Sequence, residues 1–316
     1  MKKFIALLLV AVMVLGLCAC KAPAKKYKIG ICQLIKHDAL DAATQGFMDA
    51  VKEAMGEDAV EFDLQNAAGD SNTCATIVND FVSNDVDLIM ANATPALQAA
   101  ANATSDIPIL GTSVTEYGVA LGIENFNGLV GTNVSGTSDL APLDKQAAMV
   151  KQWFPDAKNV GLLYCAAEAN SKYQVDEVSK MLKQLGYTCT MYSFSDTNDL
   201  SAVAEKCNAE SDVIYIPTDN AVANAASIVG GICTKPVIAG EGGVCKGCGV
   251  ATLSINYYDL GVATGKMAVK ILKGEAKVSD MKIEYVEEST LKYQYNKAIC
   301  DKLGLKVPAD YYEELK

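Results

Sequence analysis

Residues 27–35, YKIGICQLI, are an apolar run that ends at the polar residues Lys36-His37-Asp38. A short apolar run of this kind predicts a buried strand, and the apolar spacing after Asp38 predicts a helix. Similar strand-like runs follow at 60–65, 87–91 and 107–114. Helix-period segments separate them, starting near Asp38, Asp70 and Thr94. Because parallel neighbours need a crossover connection, this alternation predicts a parallel sheet covered by helices on both faces.

The same alternation restarts in the second half of the chain. Strand-like runs lie at 159–165, 187–194, 212–217 and 236–241, and helical segments at 168–185, 198–210 and 218–230. The 316 residues are enough for two domains with a core each. We therefore predict an α/β fold of two doubly wound parallel-sheet lobes joined by a hinge, with a seam at 131–143. The first lobe is expected to hold 27–138 and about 257–283, and the second 139–256 and about 284–316.

The amino terminus has the pattern of an exported protein. Two lysines precede an apolar run from Phe4 to Leu17, which is too short for an ordinary transmembrane helix. Leu17-Cys18-Ala19-Cys20 resembles the lipobox of bacterial lipoproteins, in which the last cysteine is lipidated. We expect a signal peptide at 1–19, a lipidated tether at 20–26 and an extracytoplasmic protein anchored to the bacterial membrane. A secreted protein without a lipid is the alternative.

Composition excludes several classes of function. The formal net charge is −11, and all 27 basic residues are lysines. An acidic chain without arginine lacks the basic surface and the guanidinium forks that nucleic-acid binders use. Any anionic group that this protein binds must be held by hydroxyls, backbone N–H groups, helix N-termini or lysines. We expect no nucleic-acid partner.

The sequence also argues against an enzyme, a metal site and a bound cofactor. His37 is the single histidine, no serine lies in a GxSxG elbow, and HExxH is absent. Of the 11 cysteines, Cys245 and Cys248 form the one CxxC, without a second pair to complete a zinc site. That motif is interpreted as a local disulfide or two free thiols. Cys32, Cys165 and Cys207 fit buried positions.

Polar residues end most of the predicted strands. In open α/β sheets, ligands bind at the carboxyl ends of the strands, so these residues are candidates for one shared site. The alternative is that the same residue types cap the following helices. The candidates are His37, Thr94, Ser113, Thr115, Glu116, Ser138, Asp139, Glu168, Asn170, Ser171, Thr218, Asp219, Asn220 and Glu241.

These motifs together resemble one family over about residues 27–285. They are HDALD at 37–41, NAAGD at 66–70, ATPA at 93–96, TNVSGTSD at 132–139, EANS at 168–171, PTDN at 217–220 and YYDLG at 257–261. The chain is similar to type I periplasmic binding proteins of ABC importers, in the tryptophan/tyrosine-type substrate-binding family. It departs from that family at Asp38, where proline is usual, and at Glu116-Tyr117, where Asp-Pro is usual.

The resemblance implies two lobes joined by three crossing strands that close on a small ligand. It also implies an amino acid, often aromatic, as the cargo, and delivery to an ABC permease and ATPase complex. A signalling receptor in place of the permease, and a sugar in place of the amino acid, are alternatives on the same fold. The absence of arginine and the single Trp153 disfavour the sugar.

The residues themselves give a weaker indication of an amino acid. Its carboxylate needs donors, such as Thr94, Ser138, Ser171 and Thr218, and its ammonium needs an anion. We rank Asp219 first for the ammonium because it directly follows a strand, ahead of Glu241, Asp139 and Glu116. An aromatic side chain could pack on Tyr117, Tyr164, Tyr215 or Tyr257, although tyrosines in strands are more often part of a core.

Overall fold

The computed structural model describes residues 25–309 and 312–315. The predicted signal peptide and the predicted lipidation site at Cys20 therefore lie outside the described residues. The last two residues of the predicted tether are described, and both form ion pairs. Lys25 Nζ lies 2.6 Å from an oxygen of Asp87, and Lys26 Nζ lies 3.2 Å from an oxygen of Glu61.

The first lobe is built on a parallel sheet in the order β11-β5-β4-β3-β1-β2. Its strands are β1 (Tyr27–Gln33), β2 (Val60–Asn66), β3 (Leu88–Asn92), β4 (Ile109–Val114), β5 (Val134–Ser138) and β11 (Glu284–Tyr285). The helices between them are α1 (Asp38–Met55), α2 (Ser71–Ser83), α3 (Thr94–Ala103) and α4 (Tyr117–Leu121). Apolar side chains are buried on both faces of this sheet, as the uninterrupted apolar runs predict.

The second lobe has a sheet in the order β13-β12-β10-β9-β8-β6-β7, in which only β10 and β12 pair antiparallel among the described strands. Its strands are β6 (Asn159–Cys165), β7 (Thr188–Phe194), β8 (Val213–Ile216), β9 (Val237–Ala239), β10 (Ala251–Ser254), β12 (Lys292–Tyr295) and β13 (Glu313–Glu314). Its helices are α5 (Leu143–Trp153), α6 (Ala169–Gln184), α7 (Leu200–Glu210), α8 (Asn220–Asn224), α9 (Ala226–Ile232), α10 (Gly242–Gly247) and α12 (Lys297–Leu303). The predicted fold of two parallel-sheet lobes is confirmed.

Helix α11 (Tyr257–Leu272) returns the chain from the second sheet to the first lobe, where it packs along α1. The two helices approach so closely that glycine is needed on both. A Cβ atom on Gly46 would lie 2.1 Å from the carbonyl oxygen of Tyr258, and one on Gly261 would lie 2.0 Å from that of Ala43. This contact fixes the start of α11 against the first lobe.

The chain passes between the lobes three times: after β5, between β10 and α11, and between β11 and β12. Strand β5 lies inside the segment that the sequence analysis assigned to the seam. Its residues, VSGTS, are polar but buried, because their hydroxyls have partners inside the lobe. Thr137 Oγ1 lies 2.8 Å from Thr264 Oγ1, and Ser135 Oγ donates to the carbonyl oxygen of Met281 at 3.0 Å. Because these hydroxyls have hydrogen-bond partners, the strand is buried although its sequence lacks an apolar run.

Two further details differ from the sequence analysis. The helix expected at 218–230 is two helices, α8 and α9, that meet at Ala225, whose φ of −113° is not helical. Strand β11 pairs with β5 of the first sheet, so the return to the second lobe comes just after the expected position near residue 284.

All nine cysteines among the described residues are free thiols, including both of the CxxC motif. The expected burial of Cys32, Cys165 and Cys207 is confirmed. Burial raises the pKa of Cys207 to about 12, which keeps this thiol protonated.

Candidate ligand-binding site

Three candidate residues lie at the carboxyl ends of adjacent strands in the first sheet. Thr94 follows β3, Ser113 is the penultimate residue of β4, and Asp139 follows β5. Neighbouring strands are about 4.8 Å apart, so the sheet order places these side chains in one row. Two backbone positions in the row are strained, because Ala93 has a φ of 91° and Ser113 a φ of 53°. Residues other than glycine seldom adopt a positive φ, and such strained backbone occurs often at functional sites.

Several buried polar atoms in this region have no hydrogen-bond partner among the described residues. They are Thr94 Oγ1, Ser113 Oγ, Asp139 Oδ1, Asn170 Oδ1 and His37 Nδ1. Leaving a buried polar group unsatisfied costs roughly 1–3 kcal/mol, so folded proteins contain few of them. All five of these atoms belong to candidates chosen from the sequence. Four other buried atoms without a partner among the described residues do not, namely Asn92 Oδ1, Trp153 Nε1, Ser179 Oγ and Thr252 Oγ1.

Asp139 is the most exceptional of these residues. Its Oδ2 accepts a hydrogen bond from the hydroxyl of Tyr257 at 3.0 Å, whereas Oδ1 is unpaired among the described residues. Burial raises the pKa of Asp139 to about 6, although the nearby hydroxyls of Thr115 and Tyr257 lower it. The charge of Glu241 adds to the increase. A carboxylate in this environment gains from a cation placed beside its free oxygen.

The other three acidic candidates for a ligand ammonium cap helices. Asp219 Oδ1 accepts from the backbone N–H of Val222 at 2.9 Å, and its Oδ2 accepts from that of Cys165 at 2.6 Å. Glu241 accepts from two N–H groups at the start of α10, and Glu116 from one in α4. The capping alternative therefore describes the observed contacts of all three. Asp139 differs from these three because its Oδ1 has no partner among the described residues.

Glu168 and Asn220 form a buried network in the second lobe. Glu168 Oε2 accepts from Asn220 Nδ2 at 2.6 Å and from Asn170 Nδ2 at 3.1 Å, and Oε1 accepts from the backbone N–H of Ala221 at 2.9 Å. Burial raises the pKa of Glu168 to about 7, and the charge of Asp219 contributes. Burial also raises the pKa of Asp219. No lysine forms an ion pair with either carboxylate within the described ranges.

The remaining hydroxyl candidates are all buried, and three of them have partners in the protein. Ser138 Oγ donates to the carbonyl oxygen of Thr115 at 2.8 Å and accepts from the N–H of Leu140. Thr218 Oγ1 donates to the carbonyl oxygen of Gly240 at 3.4 Å, and Ser171 Oγ accepts from Asn170 Nδ2 at 3.3 Å. The hydroxyl of the fourth, Thr115, lies beside the Asp139 carboxylate. Thr94 and Ser113 are the two candidates whose buried hydroxyls have no partner among the described residues.

All four tyrosines considered for an aromatic wall are buried in hydrophobic clusters, and two of them are fully buried. Tyr117 is fully buried in the first lobe and donates to the carbonyl oxygen of Thr137, and Tyr215 is fully buried in the second lobe and donates to Gln146. This agrees with the core alternative for tyrosines in the sequence analysis. The role of Tyr257 as the partner of Asp139 has no signal in the sequence, because the two residues are 118 positions apart.

Two open spaces separate the lobes near these residues. A cavity of about 370 Å³ is lined by Ile35 and Pro95 from the first lobe and by Cys165, Glu168 and Asn220 from the second. A larger groove of about 730 Å³ lies beside the crossing segments, and Glu241 is the one candidate that lines it. Within the described ranges, no three His, Cys, Asp or Glu side chains are placed to hold a metal ion.

Two doubly wound lobes with polar strand ends between them define a solute-binding protein of the type I periplasmic binding protein class. The chain belongs to the ABC transporter substrate binding protein family, which it matches over residues 28–313. A relative from Clostridioides difficile (strain R20291), named tyrosine-binding protein, is 36% identical over 280 residues, 86% of this chain and 80% of the relative. Proteins of this family bind the substrates of ABC transporters.

Two similar structures differ in how well they match the whole molecule. A Streptococcus pneumonia ABC domain in complex with L-Trp is 33% identical, with a TM-score of 0.85 over 91% of this chain and 97% of that chain. A ligand-free, open substrate binding protein from Clostridium difficile is 40% identical, with a TM-score of 0.68 over 92% and 100%. The L-Trp complex therefore matches the whole chain better than the open structure does, although its sequence is less similar.

Proposed function

We propose that this protein is the amino-acid-binding component of an ABC importer, with L-tyrosine or L-tryptophan as its ligand. The observation that carries the proposal is the set of unpaired buried polar atoms on Thr94, Ser113, Asp139 and Asn170. They lie at strand ends of both lobes, where ligands of this fold class bind. A polar ligand between the lobes would give each of them a partner.

The chemistry of these atoms fits a zwitterion. Thr94 and Ser113 can each donate a hydroxyl hydrogen, which suits a carboxylate. Asp139 and Asn170 each offer an unpaired oxygen, which suits an ammonium group. An α-amino acid carries both groups a few ångströms apart. We infer that its carboxylate contacts the first lobe and that its ammonium lies near Asp139.

The names of two relatives favour an aromatic side chain on the ligand. The relative from Clostridioides difficile is named for tyrosine, and the Streptococcus pneumonia structure contains L-Trp. Both are more than 30% identical to this chain over most of its length. Tyr164 and Tyr257 are the two considered tyrosines that are not fully buried, with exposures of 8% and 7%.

The proposed mechanism is closure of two lobes about their crossing segments. The lobes are taken as 27–138 with 257–285, and 139–256 with 286–315. A ligand held by Thr94 and Ser113 from one side and Asn170 from the other is fully bound only when the lobes are together, so it favours the closed arrangement. The closed protein would then deliver the ligand to a membrane permease and its ATPase.

The protein is further proposed to work outside the cytoplasm, anchored through a lipid on Cys20. The amino-terminal sequence supports this, together with membership of a transporter family whose members capture solutes. None of the helices in the described part of the chain is both long and apolar enough to cross a membrane.

Calorimetric titration of residues 21–316 with each of the twenty amino acids, and with glucose and galactose, tests the function. We expect saturable binding of L-tyrosine or L-tryptophan, with one ligand per chain. Binding of a sugar but no amino acid would contradict the proposal. Binding by Asp139→Asn with wild-type affinity would leave an amino-acid ligand possible but would remove the proposed ammonium contact.

A further inference from the structure

One direct side-chain contact between the lobes involves two residues 183 positions apart. His37 Nε2, at the end of β1 in the first lobe, lies 3.3 Å from Asn220 Oδ1, at the start of α8 in the second. His37 is half-buried and Asn220 is 8% exposed. Both were candidates for ligand contacts in the sequence analysis. Here they contact each other.

The orientation of the Asn220 amide is determined by Glu168. Above its pKa of about 7, Glu168 is ionised and only accepts hydrogen bonds, so at such a pH the group that faces it at 2.6 Å is the Asn220 NH₂. The amide oxygen consequently points away from Glu168 and toward His37. His37 Nε2 must then carry the hydrogen, because two acceptors cannot bond to each other.

Glu168 is itself held in place by several donors. The backbone N–H groups of Asn220 and Ala221 donate to it at 3.2 and 2.9 Å, and Asn170 Nδ2 donates at 3.1 Å. Asn170 Nδ2 also donates to the carbonyl oxygen of Thr218 at 3.1 Å. The carboxylate therefore connects the first turn of α6 to the first turn of α8. Neither oxygen is left in a position that requires a ligand.

We propose that Glu168 is a positioning residue for lobe closure, which holds the Asn220 amide so that its oxygen accepts the Nε2 hydrogen of His37 from the opposite lobe. The inference rests on the proposed function, because it concerns how tightly a ligand is retained between the lobes. It assigns Glu168, Asn220 and His37 to closure, and leaves Thr94, Ser113, Asp139 and Asn170 as the ligand contacts.

Variants at His37 test the contact between the lobes. His37→Ala removes the donor, whereas His37→Gln keeps an N–H donor at nearly the same reach. We expect dissociation of the ligand to be about three- to tenfold faster in His37→Ala, as expected for the loss of one hydrogen bond, and close to wild type in His37→Gln. The measurement is stopped-flow dissociation of whichever of L-tyrosine and L-tryptophan binds more tightly. A wild-type rate in His37→Ala would overturn the proposal.

A double-mutant cycle tests whether Glu168 acts through this contact. In Glu168→Gln the new side-chain NH₂ could donate to the Asn220 oxygen and turn the Asn220 amide, so this variant should speed dissociation about as much as His37→Ala does. In a His37→Ala background, Glu168→Gln should change the rate by less than about twofold, because the contact is already absent. An equal effect in both backgrounds would show that Glu168 acts on the ligand or on the fold, and would overturn the proposal.

These outcomes are separate from a failure of the proposed function. If wild-type protein binds none of the amino acids, the function fails before any variant is compared. If wild-type protein binds one and the His37 variants behave alike, the function stands and the inference about Glu168 fails. Should Glu168→Gln not fold, the two His37 variants still decide whether the contact between the lobes retains the ligand.

Discussion

The hydroxyl of Tyr257 donates to Asp139 Oδ2 at 3.0 Å, and this bond joins two of the segments through which the chain passes between the lobes. Asp139 directly follows β5, and Tyr257 is the first residue of α11. Both side chains are buried. The bond occupies one oxygen of Asp139 and directs the carboxylate so that Oδ1 is the oxygen left for another partner. Tyr257 therefore orients the residue that we assign to the ligand ammonium.

Asp139→Asn should weaken amino-acid binding at least tenfold at pH 7.5, because the ammonium would lose a buried counter-charge. The unliganded protein should become more stable at this pH, by up to about 3 kcal/mol. The Asp139 carboxyl has a pKa of about 6 in the folded protein, so its ionised form is less favourable there than in the unfolded chain. Asparagine is neutral and avoids this cost. Calorimetric titration measures the affinity, and urea unfolding measures the stability.

The control for this variant is Tyr257→Phe, which removes the donor to Asp139 but keeps the charge. It should weaken binding less than Asp139→Asn does. A loss of affinity in Asp139→Asn together with an equal loss of stability would instead indicate damage to the fold.

Binding should also depend on pH through Asp139. Its pKa is raised, so the folded protein holds this proton more tightly than the unfolded chain between about pH 4 and pH 6. The contribution of Asp139 to the free energy of unfolding therefore falls as the pH rises through this range. Ligand binding has the opposite dependence, because the ammonium needs the ionised carboxylate.

We expect the affinity for the amino acid to be constant above about pH 7. Below pH 6 it should decrease with each pH unit by a factor that approaches about ten. Glu168, with a pKa of about 7, also titrates in this region. Titrations with the amino acid from pH 5 to 8, on wild type and on Asp139→Asn, separate the pH dependence due to Asp139 from that due to Glu168. Only the Asp139 contribution is absent from the variant. Parallel pH profiles in the two proteins would contradict the assignment.

Thr94→Val should weaken binding about 10- to 100-fold without destabilising the unliganded protein. The hydroxyl of Thr94 is buried and has no partner among the described residues, so folding gains nothing from it, and valine has the same shape. A hydrogen bond to a charged carboxylate is worth roughly 1.5–3 kcal/mol. Calorimetric titration and thermal unfolding together test both halves of the prediction.

Two controls accompany Thr94→Val. Thr94→Ser keeps the hydroxyl and should bind nearly as wild type does. Ser138→Ala removes a hydroxyl that bonds to the carbonyl oxygen of Thr115 and the N–H of Leu140, so it should lower the free energy of unfolding by about 1 kcal/mol. Unchanged affinity in a folded Thr94→Val protein would remove Thr94 from the site.

The sequence predicts the candidate region but does not distinguish the roles of the residues within it. Asp139 and Asp219 both follow a strand and precede a helical segment, so they look equivalent in the sequence. The difference lies in which backbone N–H groups each side chain reaches. Asp219 reaches those of Cys165 and Val222, whereas Asp139 meets a tyrosine hydroxyl from a distant part of the chain. Such contacts depend on the assembled fold.

Strand β6, whose buried residues are mostly apolar, was predicted, whereas strand β5, whose buried residues are mostly polar, was missed. The boundaries of β6 were predicted at Asn159 and Cys165, as observed, because an apolar run fills this segment. Strand β5 was missed because serine and threonine fill its buried positions. Its hydroxyl bonds to Thr112, Thr264 and Met281 replace the apolar contacts that hydropathy detects.

Anchoring through Cys20 is testable in cells. Cys20→Ser should leave a folded domain that is released from the membrane fraction and incorporates no labelled fatty acid, because the acceptor thiol is gone. Cys18→Ser is the matched control, since that residue would be removed with the signal peptide, and it should remain lipidated. Continued labelling of Cys20→Ser would disprove the lipoprotein assignment.

The close contact between α1 and α11 predicts a large difference between two glycine substitutions. A Cβ on Gly46 would lie 2.1 Å from the carbonyl oxygen of Tyr258, so Gly46→Ala must push the start of α11 away from α1. We expect it to lower the free energy of unfolding by about 1–3 kcal/mol, the usual cost of overpacking. Because Tyr257 and its bond to Asp139 lie at that same helix start, the affinity for the amino acid should fall as well.

Gly231→Ala in α9 is the control, since its Cβ would meet no atom within 4 Å and alanine favours a helix by about 0.5–1 kcal/mol. Urea unfolding of both variants, with calorimetric titration of the folded protein, provides the comparison. Equal stability of Gly46→Ala and Gly231→Ala would mean that the two helices are not in contact at Gly46.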